Sequence, residues 1–171
     1  MFRRCFACLK YVLVLLAPLG NALEAKVYRE PSAQFKPRIE IVALYIEQGN
    51  KILLLHRQEN KSQGNKWGIP GGKIDKGETP LQAVIREALE ETGYDFSHQP
   101  IQHLSTLYIE YNQKDHFVYH MFRTQLTSDP GAVKINFNEH KGFTWVTPQD
   151  GLGMNLIEDE DACFKMTYDL H

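Results

Sequence analysis

The chain has 171 residues, of which 43% are hydrophobic and 23% are charged, as in an ordinary globular domain. These values exclude collagen-like and largely disordered chains. The formal net charge is −2, and without a basic run the chain lacks the electrostatic signature of a protein that binds nucleic acid polymers. The three cysteines, Cys5, Cys8 and Cys163, form neither a disulfide framework nor a zinc-site pattern.

The beginning of the chain differs in composition from the rest. Residues 1–25 hold three basic residues and one acid, whereas residues 26–171 hold 16 basic and 20 acidic residues. The basic start is followed by an apolar run over 11–19 and by small residues at Gly20 and Ala22. This order is typical of a secretory signal peptide, and the run is shorter than the roughly 20 residues of a membrane span.

We therefore predict a signal peptide-like leader over 1–25 and an exported protein, periplasmic or secreted, with no stable membrane span after the leader is removed. The alternative is a cytoplasmic protein whose start site is wrongly assigned. A leader that anchors the protein instead of being cleaved is also left open.

A linker over 26–37 is expected to precede a single domain over 38–171. Alternating apolar residues predict a strand over 39–46, and an apolar run predicts a buried strand over 52–55. A turn between them makes a hairpin. The polar stretch over 58–66 is expected to be a loop.

The spacing of residues 79–92 predicts a helix. Thr79 is a favourable N-cap, Pro80 suits the first helical position, and Gln82 completes a capping box. Gly93 supplies the stop at the C-terminal end. On a helical wheel, the apolar side chains fall on one stripe, formed by Leu81, Val84, Ile85, Ala88 and Leu89.

The remaining chain predicts two paired strands over 104–111 and 116–126, a turn over 128–131 and a short strand over 143–146. A terminal helix is predicted over 156–170, with acidic residues near its start, where the helix dipole favours them. Several strands with a central and a terminal helix indicate a mixed α/β class.

Three carboxylates share one side of the central helix. Glu87, Glu90 and Glu91 fall within about 100° of each other at 3.6 residues per turn. Like charges at this spacing destabilise a helix by a few tenths of a kcal/mol per pair, and a bound cation would reverse that repulsion. Carboxylate oxygens suit Mg²⁺ or Mn²⁺. The alternative is a solvated acidic face.

A glycine-rich segment over 67–73 precedes this helix, and it lacks the Gly-Lys-Ser/Thr of a nucleotide P-loop. Gly72 is followed after five residues by Glu78, and after seven more by the run Arg-Glu-Ala-Leu-Glu-Glu-Thr-Gly-Tyr at 86–94. This arrangement resembles the Nudix box at every charged and glycine position. The one departure is Tyr94, where the family usually has an aliphatic residue, and it affects packing more than chemistry.

The resemblance implies an α/β fold, a Nudix-type α/β/α sandwich with a mixed central sheet. It implies a pyrophosphohydrolase that uses Mg²⁺, with Mn²⁺ as a substitute, to cleave a phosphoanhydride bond in a nucleoside di- or triphosphate derivative by metal-activated water. The expected partner is this small molecule, with no nucleic acid polymer. The alternatives are a non-catalytic Nudix-fold sensor of a nucleotide derivative and an acidic structural helix. The substrate and the oligomeric state, including a homodimer, are left open.

By match to the box, Glu87, Glu90 and Glu91 are the expected metal ligands, joined by the carbonyl of Gly71. Arg86 is expected to orient the glutamates through charge-assisted hydrogen bonds. Glu87 and Glu90 are also counted, with Arg86, among the catalytic residues, because a helix glutamate is one candidate for the general base.

Residues outside the helix complete the expected site. Glu78 resembles a brace between loop and helix, and Glu139 is a second candidate for the general base or an extra metal ligand. His140, taken alone, is more often structural. Arg57, at the end of the second strand, is expected to bind phosphate, and Trp67 either stacks on a base or packs under the loop.

Overall fold

The structure is a computed structural model that describes residues 26–110, 116–127 and 131–170. The predicted leader and most of the turn over 128–131 lie outside the described residues. The elements in the described part are β1 (Lys26–Tyr28), β2 (Ile39–Gln48), β3 (Lys51–Arg57), β4 (Trp67–Gly68), β5 (Gly71–Lys73), α1 (Pro80–Thr92), β6 (Gln102–Glu110), β7 (His116–Gln125), β8 (His140–Val146), α2 (Pro148–Gly151) and α3 (Glu160–Tyr168).

The strands form one mixed sheet in the order β1-β6-β7-β2-β3-β4, in which β5 also pairs with β2 and β8 with β3. The central pair, β2 and β7, is parallel from Ile39 and Phe117 to Glu47 and Gln125. The other pairings are antiparallel. The predicted hairpin of β2 and β3 and the predicted pairing of β6 with β7 are both confirmed.

Side chains on the two faces of this sheet build two separate cores. Along β2, Val42 and Leu44 point to the face that α1 covers, whereas Ala43 and Tyr45 point to the face that α3 covers. A strand buried on both faces has no polar side, which is why the middle of β2 reads as a nearly continuous apolar run. The expected α/β/α sandwich with a mixed central sheet is confirmed.

Helix α1 begins and ends as its sequence predicts. Thr79 accepts a hydrogen bond from the backbone N–H of Gln82, and the Gln82 side chain accepts one from the backbone of Thr79. Gly93 ends the helix in the left-handed conformation, with φ of 75°. These caps satisfy backbone groups that a helix end leaves without intrahelical partners.

The predicted apolar stripe of α1 is wrong in part. Leu81 and Leu89 are each 46% exposed, and the buried face instead holds Ala83, Val84, Ala88, Glu91 and Thr92. The helix is therefore rotated so that Glu91, which the helical wheel grouped with the acidic side, faces the interior. The reason lies in the partners of Glu91, which belong to distant parts of the chain.

Four short elements, β1, β4, β5 and α2, were missed, and the start of α3 was misplaced. Residues Lys26–Tyr28, assigned to the linker, pair with β6 as an edge strand. The glycine-rich segment forms β4 and β5, and α2 follows Thr147 as a short helix. Helix α3 begins at Glu160, later than predicted, because Asp159 has φ of 66° and cannot continue a right-handed helix.

None of the helices within the described ranges is long and apolar enough to cross a membrane.

A carboxyl group is buried under the face of the sheet that α3 covers. Glu160 is 5% exposed, and its Oε1 accepts a hydrogen bond of 3.1 Å from the Tyr45 hydroxyl. Burial raises the pKa of Glu160 to about 7, although hydrogen bonds from Tyr45 and from the backbone of Ile69 oppose the rise, and the charge of Asp161 adds to it. The titratable groups Tyr119, Cys163 and Tyr168 also lie within electrostatic range.

This burial predicts a pH-dependent stability. The folded protein binds the Glu160 proton more tightly than the unfolded chain, so the free energy of unfolding falls as the pH rises from about 4 to about 7. Glu160→Gln keeps an acceptor for Tyr45 without a charge, and we expect it to be more stable than wild type by about 3 kcal/mol at most above pH 7. Urea unfolding from pH 5 to pH 8 measures this difference. Exposed Glu30→Gln is the control, and parallel pH profiles of Glu160→Gln and wild type would contradict the prediction.

Candidate active site

A cleft of about 420 Å³ opens beside α1 and gathers most of the predicted site residues. It lies where the end of β3, the strand β5, the outer side of α1 and the segment before β8 meet. The residues that line it are Arg57, Gly71, Gly72, Lys73, Glu87, Glu90, Glu91, Asn136 and Glu139.

Arg86 organises the acidic side of α1, as the resemblance implies. Its Nε and Nη2 donate to the two carboxylate oxygens of Glu78 at 2.8 and 2.9 Å, and its Nη1 donates to Glu87 at 2.9 Å. Nη2 also reaches the carbonyl of Lys73 at 3.0 Å, and Glu90 lies 3.6 Å from Nη1. This bidentate pairing lowers the pKa of Glu78 to about 2 and raises the pKa of Arg86. The guanidinium thus joins β5, the loop before α1 and the helix itself.

Glu87 sits close against the glycine-rich segment. Burial raises the pKa of Glu87, because the loss of solvation outweighs the opposing effect of Arg86. A Cβ at Gly72 would overlap the Glu87 carboxylate, and a Cβ at Gly71 would overlap the backbone carbonyl of Val42 in β2. Both glycines are therefore required by close approach, one to a side chain of the site and the other to the central sheet.

Glu91 is turned away from solvent and is held at both oxygens. Oε2 accepts the backbone N–H of Gly71 at 2.8 Å, and Oε1 lies 2.7 Å from Nε2 of His140. A buried charged group is stable only when it is hydrogen-bonded, and these two contacts meet that requirement. They also explain why α1 buries Glu91 and leaves Leu81 and Leu89 outside.

The other two carboxylates of the cleft are more open. The Glu90 side chain is 55% exposed, and Glu139 lies 3.2 Å from Nζ of Lys61. Arg57 lines the same cleft, and its Nε donates to the backbone carbonyl of Ser62 at 3.0 Å. The positive charge of Arg57 is thus fixed beside the acidic wall.

Trp67 does not line the cleft. Its ring stacks on His56 with centroids 4.3 Å apart and an interplanar angle of 13°, and its backbone bonds to Asn155 and Ile157. The side chain of Trp67 thus packs on His56 and against the core under α3.

The cleft carries more negative than positive charge. Four carboxylates line it, against the cations of Arg57 and Lys73. Among the described residues, no three acidic, histidine or cysteine side chains converge closely enough to hold a metal ion as they stand. The donors are nevertheless of the right kind for Mg²⁺ or Mn²⁺, since these ions prefer carboxylate and carbonyl oxygen. The excess negative charge fits the same ions.

The family model of the NUDIX domain matches residues 36–165, which contain this cleft and the whole sheet except β1. The chain belongs to the Nudix family. It is a Nudix hydrolase, an enzyme of the class that acts on phosphorus-containing anhydrides.

Named relatives agree with this assignment. The CTP pyrophosphohydrolase of Escherichia coli K12 is 29% identical over 116 residues, which are 67% of this chain and 79% of that protein. The ADP-ribose pyrophosphatase of Methanocaldococcus jannaschii is 33% identical over 98 residues, 54% of this chain and 56% of that protein. The crystal structure of a MutT protein from Methanosarcina mazei Go1 has a TM-score of 0.64 at 28% identity and covers 78% of this chain and 94% of that chain.

The structure adds residues to the Nudix site that sequence reasoning did not assign to it. Lys61 holds Glu139, and both Lys73 and Asn136 line the cleft. His140 contacts Glu91, although it is 49 positions away in the chain. The sequence offered Glu139 as a base or ligand and His140 as a structural residue, and nothing in it specifies which glutamate the histidine contacts.

The two glycines predict separable defects. Gly72→Ala would displace the movable end of Glu87, so we expect the rate of phosphoanhydride hydrolysis to fall by about 100-fold while the fold persists. Gly71→Ala would press on the backbone of β2, and we expect it to lower the free energy of unfolding by about 2 kcal/mol. Chemical unfolding and hydrolysis rates of both variants measure these effects. A fully active Gly72→Ala variant would show that the position of Glu87 does not matter.

Proposed function

We propose that this protein is a divalent metal-dependent pyrophosphohydrolase that cleaves a phosphoanhydride bond in a nucleoside di- or triphosphate derivative. The observation that carries the proposal is the cleft itself. It combines the intact Nudix box glutamates with the cation of Arg57 and the backbone of Gly71 and Gly72 in one polar opening. A polyphosphate needs both the glutamates, which would hold metal ions, and the fixed cation of Arg57, because metal ions and fixed cations must together offset its charge.

The residues proposed to hold the metal are the carboxylates of Glu87, Glu90 and Glu91 with the carbonyl of Gly71. When bound, Mg²⁺ or Mn²⁺ would neutralise the phosphates and lower the pKa of a bound water. Glu87 and Glu91 are already fixed by hydrogen bonds, so their orientation would cost little on binding.

The residues around this group have distinct proposed roles. Arg57 binds a phosphate oxygen, since it lines the cleft as a cation. Glu139 accepts a proton from the attacking water, supported by its partly exposed carboxylate and by Lys61, which lies 3.2 Å away and holds it in place. A glutamate of α1 remains the other candidate for this base, and an extra metal ligand remains the other role for Glu139.

The proposed substrate class follows from what the relatives have in common. CTP and ADP-ribose, after which two of the relatives are named, both contain a nucleoside diphosphate joined to a further group. The proposed substrate of this chain therefore has the same unit.

The test is a panel of nucleoside triphosphates, dinucleoside polyphosphates and nucleotide sugars, assayed for released phosphate or monophosphate with and without Mg²⁺. Binding of a nucleotide derivative without turnover would favour the non-catalytic sensor instead.

Two conservative substitutions distinguish the metal site from the base. We expect Glu90→Gln to weaken Mn²⁺ binding and nearly to abolish turnover while the fold persists, because the variant loses a charged ligand at the exposed end of the site. Glu139→Gln should lower kcat by about 100-fold and leave Mn²⁺ affinity and KM nearly unchanged. Steady-state kinetics and Mn²⁺ titration measure both variants. Full activity of Glu90→Gln would overturn the metal assignment. An unchanged kcat in Glu139→Gln would assign the base to α1. Weaker Mn²⁺ binding in Glu139→Gln would instead make Glu139 a metal ligand.

We also propose that residues 1–22 are removed on export. The support is the basic start, the apolar run over 11–19 and the small residues before Leu23. The first described strand begins only at Lys26. We therefore expect a chain that begins at Leu23 to be folded and active, and mass spectrometry of the native protein to find its N-terminus at or near Leu23. An intact Met1 on the native protein would overturn the export proposal and leave the catalytic one untouched.

A further inference from the structure

His140 is a buried residue whose place is set by the backbone around it. It begins β8, its backbone N–H donates to the carbonyl of Asn136 at 2.8 Å, and it pairs with Arg57 across an irregularity in the β3–β8 register. This irregularity is a bulge-like step beside the cleft, and such steps redirect a side chain.

The imidazole of His140 is directed at one carboxylate. Nε2 lies 2.7 Å from Oε1 of Glu91, and the two side chains are only 4% and 7% exposed. The other Glu91 oxygen accepts the N–H of Gly71. Two donors from two different strands therefore fix the plane of this carboxylate, and neither donor belongs to α1.

The hydrogen-bond pattern also indicates which ring nitrogen serves Glu91. Since a carboxylate only accepts, Nε2 of His140 carries the hydrogen that joins the two side chains. The buried Nδ1 has no hydrogen-bond partner among the described residues. Within the described part of the chain, the imidazole therefore makes its one hydrogen bond to Glu91.

We propose that His140 is the positioning residue for Glu91 and that it acts on the metal only through this carboxylate. The imidazole N–H holds one oxygen of Glu91 and the backbone N–H of Gly71 holds the other, so the orientation of this carboxylate depends on His140. This resembles the general arrangement in which partners behind a metal ligand set its orientation and strengthen binding. The inference rests on the proposed metal site.

The experiment compares His140→Gln with His140→Leu in the full chain. Glutamine retains an N–H donor near the place of Nε2, whereas leucine fills space without a donor. The probe is Mn²⁺ alone, titrated by electron paramagnetic resonance, with urea unfolding as a check of the fold. We expect leucine to weaken Mn²⁺ binding by about 10- to 100-fold and glutamine to restore it to within about 3-fold of wild type.

A double-mutant cycle distinguishes positioning from a general structural role. Glu91→Gln removes the charge that His140 is proposed to orient, so adding His140→Leu should change Mn²⁺ affinity no further. If both substitutions weaken binding independently, His140 does not act through Glu91. The proposal is also overturned if folded His140→Leu binds Mn²⁺ like wild type, or if folded His140→Gln is as weak as His140→Leu.

The Mn²⁺ titration also distinguishes failure of this inference from failure of the proposed function. If wild type hydrolyses no member of the nucleotide panel but the Mn²⁺ cycle behaves as expected, the positioning role stands and the hydrolytic proposal fails. If wild type hydrolyses its substrate and the cycle shows no coupling, only the role of His140 fails. A wild-type protein that binds no Mn²⁺ overturns both. If His140→Leu does not fold, the proposal is tested with His140→Gln and its double-mutant cycle with Glu91→Gln. Loss of Mn²⁺ binding in folded His140→Gln contradicts the proposal.

Discussion

The carboxylate of Glu91 is buried, and a buried charge must be hydrogen-bonded by the surrounding protein. Its two partners come from β5 and β8, while Glu91 itself belongs to α1. One side chain therefore fixes the position of a helix relative to two strands. The rotation of α1, the exposure of Leu81 and Leu89 and the closeness of Gly72 to Glu87 all accompany this arrangement.

The site holds its carboxylates in two different ways. Glu78 and Glu87 are paired with the guanidinium of Arg86 and are partly neutralised by it. Glu91 is instead held by a backbone N–H and by an imidazole. The cleft thus contains one carboxylate paired with a guanidinium, Glu87, and one held by hydrogen bonds from two strands, Glu91, at the place where a divalent cation and a polyphosphate would have to meet. Electrostatic preorganisation of this kind is a large part of catalysis in phosphoryl chemistry.

The sheet separates this chemistry from a second polar feature. Because β2 is buried on both faces, alternate side chains serve either the core under α1 or the core under α3. The cleft adjoins the first core, and the buried carboxyl of Glu160 lies in the second. The predicted pH dependence of stability and the proposed metal dependence of activity thus involve different layers of one domain, which makes them separable by substitution.

Local patterns in the sequence were enough for much of this molecule. The capping box at Thr79 and the stop at Gly93 define α1, and the apolar stretch over 39–46 defines β2, because these signals act between residues a few positions apart. The spacing of the Nudix box likewise fixed the family and the order of its glutamates along the helix. Tertiary structure decided which way α1 faces and which partners its carboxylates find, because the contact between Glu91 and His140 joins residues 49 positions apart. Helical periodicity alone grouped Glu91 with the solvated side, and only the donors brought by β5 and β8 make its burial stable.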